Sequence, residues 1–197
     1  MSHLAELERA REVVAAATWH DSLARLSPCP EAVEWARGYA TLAEAWAACE
    51  RGTWMLWLAG RVCPPLAERP TPERARLVLA ACDCAELARP HWTVKTALVC
   101  ERVLDLARRW ARGDVSVSLA MLRDVADGAY DTDAAGDAAA VAAGAAYAAD
   151  AAGTADAAGA AAVAAGAADA ADATSQRVLR ECADLMRRHY PEPPVMP

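Results

Sequence analysis

Thr53-Trp-Met-Leu-Trp-Leu-Ala-Gly-Arg-Val62 is the stretch whose reading decides the fold. Trp54, Met55, Leu56, Trp57, Leu58 and Ala59 are consecutive, so on a helix they cover every face instead of one stripe. A helix that is apolar all round is normally buried on all sides. The apolar run is far shorter than the ~20 residues needed to span a membrane. Trp54 and Trp57, three apart, are expected to stack on one side, with Met55 and Leu58 on the neighbouring one. The stretch therefore reads as the central rod of a helical domain, with other helices laid around it. Loss of either Trp side chain from such a position is expected to cost ~3–5 kcal/mol.

Working outward, local signals mark further helices on both sides. Thr41-Leu-Ala-Glu44 is a capping box, in which the Thr hydroxyl takes the third amide and the Glu reaches back to the cap. Gly52 reads as the end of the helix it opens, and Thr53 as the cap of the rod. Further upstream, Glu31 to Trp35 makes a short helix stopped by Gly38. Pro28 and Pro30 end a first helix that Ser2 can cap and that runs to about Leu26. Downstream, Pro64-Pro65 ends the rod, and Thr71-Pro72 gives a cap followed by a first-turn proline. Leu77, Val78, Ala81, Cys82, Ala85 and Ala88 form the inward face of the next helix, which Pro90 ends. A helix from about Thr93 to Arg112 is expected to turn Val94, Leu98, Val103, Leu106 and Trp110 inward, with Gly113 stopping it. No segment alternates with the period of two that a strand requires. The fold class is all-α.

From Ala134 to Ala173 the chain is almost wholly Ala, Asp and Gly, with Val141, Tyr147, Thr154 and Val163 the exceptions. Ala is the best helix former, while each Gly costs ~1 kcal/mol relative to it, so such a helix needs tertiary support. Two long antiparallel helices with a break near Gly153-Thr154 are expected. Gln176 to Tyr190 returns to ordinary amphipathic composition, with Val178, Leu179, Cys182, Leu185 and Met186 apolar. The organisation expected is one all-helical domain over residues 1–197, in three parts. These are a Trp-rich core (1–113), an Ala/Asp-rich hairpin laid on it (114–190) and a tail (191–197).

The charge is unevenly placed. Asp124, 127, 131, 133, 137, 150, 156, 169 and 172 all fall between Asp124 and Gln176, where no basic residue occurs. The other acids number 27 − 9 = 18 against 20 bases, so this segment generates the whole net charge of −7. A one-signed acidic surface disfavours nucleic acid and anionic membranes and favours basic partners. Asp124, Asp127 and Asp131 are three and four apart and share one helical face. Asp133 and Asp137 extend it, and these five are the candidate partner-binding residues.

Other constellations point to structure. Seven cysteines is an odd count, and most sit in apolar helical context, so they read as reduced thiols serving as small hydrophobes in a cytoplasmic protein. The charged N-terminus, Leu4 to Glu12, is unlike a signal peptide. Cys82 and Cys84 are two apart, hence ~200° apart on a helix, and cannot share a metal there. Asp83 between them is expected to cap a helix or pair with an Arg. Asp131-Thr-Asp133 reads as a solvated face instead of a divalent-metal pair. The four histidines are scattered, and no phosphate loop appears. No catalytic residue, cofactor or metal is expected.

Three stretches together resemble a known family: Ala45-Trp-Ala-Ala-Cys-Glu-Arg-Gly-Thr-Trp-Met-Leu-Trp-Leu-Ala59, Leu77-Val-Leu-Ala-Ala-Cys-Asp-Cys-Ala85, and Arg177-Val-Leu-Arg-Glu-Cys-Ala-Asp-Leu185. The chain looks like the immunity proteins of bacterial polymorphic toxin systems, in the immunity-five-like class. The likeness covers residues 20–190. It implies a cytoplasmic, non-enzymatic protein that neutralises a cognate toxin by binding it. It brings no binding residues with it. The competing reading is a helical scaffold whose Ala-rich hairpin self-associates.

Overall fold

The computed structural model describes residues 19–64, 70–92, 94–130 and 172–196. Helices follow one another as α1 (19–25), α2 (Pro30–Ala36), α3 (Leu42–Ala48), α4 (Gly52–Val62) and α5 (Pro72–Glu86). After a 3-10 turn at Arg89–His91 come α6 (Val94–Ala111), α7 (Leu119–Tyr130) and α8 (Asp172–His189). There is no strand among the described residues, and the fold is all-α as the periodicity requires. The Ala-rich hairpin and its break at Gly153-Thr154 lie outside the described residues. Contacts divide the chain into two compact units, Met1–Cys49 with Glu192–Pro197, and Glu50–Pro191.

In the first unit the helix ends are set by local chemistry. Pro30 opens α2, where its missing N–H leaves no bond unmade. The capping box of α3 is complete: Thr41 Oγ1 accepts from the Glu44 amide at 3.1 Å, and Glu44 Oε2 accepts from the Thr41 amide at 3.3 Å. Trp19, buried in α1, donates from Nε1 to the Ala40 carbonyl at 3.0 Å, and His20 Nε2 lies 3.1 Å from the Ala36 carbonyl. These bonds tie α1 to the ends of α2 and of the linker before α3.

The second unit is organised around α5, which packs against α4, α6 and α8. Leu77, Val78, Ala80, Ala81, Cys82, Cys84 and Ala85 are all fully buried along it, as is Ala88 just beyond its end. At 3.6 residues per turn they cover about 200° of its circumference. Small side chains make that possible, because Ala and Cys let neighbouring helices come close on several sides. Thr71 Oγ1 caps α5 by accepting from the Arg74 amide at 3.2 Å.

The rod reading of α4 is corrected in two respects. Met55, Leu56, Leu58, Ala59 and Gly60 are buried, but Trp54 and Trp57 are only half-buried. At 100° per residue they stand roughly opposite Gly52, the residue that meets α8, and the Arg51 guanidinium stands 4.5 Å from the Trp54 ring centroid. The Trp54 ring is held there by partial burial and this cation–π contact, and the Trp57 ring by partial burial. The boundary also differs: α4 begins at Gly52, with Arg51 as its cap residue, instead of at a Thr53 cap. Gly52 is not a terminator but the point where α4 meets α8. A Cβ there would stand 2.2 Å from Cys182 Cβ and 2.7 Å from the Ala183 amide nitrogen.

In α6 the buried side chains are Cys100, Val103, Leu104, Leu106, Ala107, Trp110 and Ala111. Leu98, expected inward, is 74% exposed, because it lies two residues and so about 200° from Cys100. Gly113 ends the helix at φ 82°, a conformation that suits glycine. Asp114 then turns the chain, Oδ1 accepting from the Ser116 amide at 2.9 Å and hydroxyl at 2.7 Å, while Arg109 Nε donates to Oδ2 at 2.9 Å. With Ser116 the larger influence and Arg109 the smaller, this carboxyl is held down at about 2. Ser118 Oγ caps α7 by accepting from the Met121 amide at 3.2 Å.

Candidate functional site

α7 carries the opening of the acidic segment. Leu122 is buried and fixes which side of the helix faces α6. Asp124 and Asp127 are exposed, three residues and about 60° apart on one face. Asp131, Asp133 and Asp137 lie outside the described residues. Met121, 43% exposed, precedes Asp124 by one turn on the same face. Asp127 and Arg123 each have an interaction partner, so the base of this face is not bare carboxylate. What it offers is a charged, solvated surface with an exposed Met.

A second cluster joins α5, α6 and α8. The sequence leads Asp83 to be expected as a cap or an Arg partner. Arg108 NH2 donates to Asp83 Oδ1 at 3.0 Å, and Arg108 NH1 donates to Glu86 Oε1 at 2.8 Å. The other Asp83 oxygen, Oδ2, lies 2.8 Å from His189 Nε2, at the last residue of α8. Glu86 Oε1 also accepts from Arg89 at 3.3 Å, and Arg89 reaches Glu101 at 3.0 Å. His189 could not be found from the sequence, because 106 residues separate it from Asp83 and no motif links them.

The electrostatics follow from that geometry. Burial pushes the Asp83 carboxyl up, but the hydrogen bonds from His189 and Arg108 outweigh it and hold it below its ordinary value. Glu86 is held down chiefly by the Arg108 hydrogen bond. For Arg108 burial works toward a lower pKa, and the bonds to Glu86 and Asp83 reverse it to a raised one. Both Asp83 oxygens are occupied and the guanidinium is shared between two carboxylates. Asp83 is shared between His189 Nε2 and Arg108, so the three side chains join α8, α5 and α6. The cluster is a tie between helices.

Cys82 and Cys84 are both fully buried and face different neighbours. Burial pushes the Cys82 thiol up to about 12. Cys84 donates to the Cys182 carbonyl at 3.9 Å, and its contact with the Cys182 thiol, then burial, raise it well above the usual range. Thiols so far from ionisation behave as small apolar side chains. Among the described residues no group of three or more His, Cys, Asp or Glu is placed to hold a metal. No helix among them is long and apolar enough to cross a membrane. In comparisons with protein-family models, with curated proteins and with solved structures, nothing matches this chain.

Proposed function

We propose that the chain is an immunity protein, of antitoxin type, that neutralises a cognate bacterial toxin in the cytoplasm by binding it one to one. The observation that carries this reading is the segregation of charge. All the net negative charge comes from the segment that opens on the exposed face of α7 at Asp124 and Asp127. Like charges this close destabilise a helix slightly, and beyond Arg123 at its edge the segment from Asp124 to Gln176 carries no Arg or Lys to offset them. The resemblance of residues 45–59, 77–85 and 177–185 to polymorphic-toxin immunity proteins supports the same reading. Many residues of those runs are buried in α3, α4, α5 and α8, so the runs mark the fold and leave recognition to the surface. The partner expected is a basic toxin surface.

Co-expression with the products of the genes neighbouring this chain's, screened for a toxin, tests the proposal directly. Survival that depends on this protein, with a one-to-one complex on sizing, is the expected outcome. Death of the co-expressing cells despite soluble protein would remove the immunity reading. Light scattering on the purified protein tests the scaffold alternative, which requires concentration-dependent assembly without any partner.

A further inference from the structure

We draw no further inference here: the strongest candidate, the exposed apolar side chains of Val115 in the turn between α6 and α7 and of Met121 on α7 beside the acidic face, carries nothing because nothing in the structure shows what covers them.

Discussion

α4 and α5 have opposite compositions and opposite fates. α4 holds Trp54, Met55, Leu56, Trp57, Leu58 and Ala59 in one run, yet Trp54 and Trp57 remain only part-buried. α5 carries Arg, Asp and Glu among small residues, yet its inner arc from Leu77 to Ala88 is fully buried against three helices. Hydrophobic bulk says how much a helix gains by burial, whereas the number of neighbours it can take depends on how close they can come. Ala80, Ala81, Cys82, Cys84 and Ala85 leave room for close approach on several sides, and two indoles do not.

The sharpest test of that contrast is a pair of truncations. Leu77→Ala in α5 should cost about 2–5 kcal/mol, as full burial requires. Trp57→Ala, although it removes a larger side chain, should cost no more than Leu77→Ala, because part of the Trp57 side chain already meets water. Urea melts of both variants decide it. A larger loss for Trp57→Ala would restore α4 to the centre of the fold.

Next in size is Gly52→Ala. Ala normally stabilises a helix relative to Gly by ~1 kcal/mol. Here the new methyl would meet the Cys182 and Ala183 backbone as well as the Cys182 side chain, and backbone yields only if α8 shifts. A net loss of about 1–3 kcal/mol is expected from overpacking. Gly38→Ala is the control, since its nearest neighbour would stand at 3.4 Å. Equal melting of Gly52→Ala and wild type would mean that α4 and α8 do not approach so closely.

The tie between α5, α6 and α8 should matter less, because Asp83 is partly exposed and its pairs are screened by water. Asp83→Asn should lower stability at neutral pH by about 1 kcal/mol. The pH dependence has a definite sign. The folded Asp83 carboxyl titrates below its ordinary value of 3.8, so the stability it contributes is complete above that value. It is lost as pH falls through the lower folded value. The gap between wild type and Asp83→Asn should therefore narrow in acid. A gap that stayed constant from pH 7 to about pH 2 would show that the charge on Asp83 contributes nothing.

The smallest effect on stability is expected at the acidic face. Asp124→Lys and Asp127→Lys, both at exposed positions, should each change the unfolding free energy by no more than about 0.5 kcal/mol, and Asp131→Lys completes the charge reversal. On the proposed immunity function, toxin association should nevertheless slow several-fold and lose its salt dependence, since rim charges govern encounter. Unchanged association kinetics in the folded triple variant would move the recognition surface elsewhere.

Helix boundaries, class and much of the inward face were legible because their causes are local. The Thr41 box, the Thr71 cap, Pro30, Pro72 and Gly113 act through bonds within a few residues, and a linear reading contains them. The exposed carboxylates of α7 were legible for the same reason: with Leu122 inward, Asp124 and Asp127 follow from helical spacing. Leu98 marks the limit, since a 3.6-residue period does not say which of two apolar arcs meets the neighbours. Gly52 looked like a helix end because a glycine's local meaning is a turn, whereas its reason lies 130 residues away at Cys182. Asp83 was recognisable as a residue needing a cation, but its second partner, His189, came from the far end of the second unit. The amino-acid sequence by itself determined the all-α class, the caps and the apolar stripes, because each depends on neighbours along the chain. Only the tertiary structure decided that α5 is the central helix, that α8 crosses at Gly52 and that Asp83 joins Arg108 to His189. Those facts depend on which surfaces come within van der Waals distance, and that is settled by the folded chain as a whole.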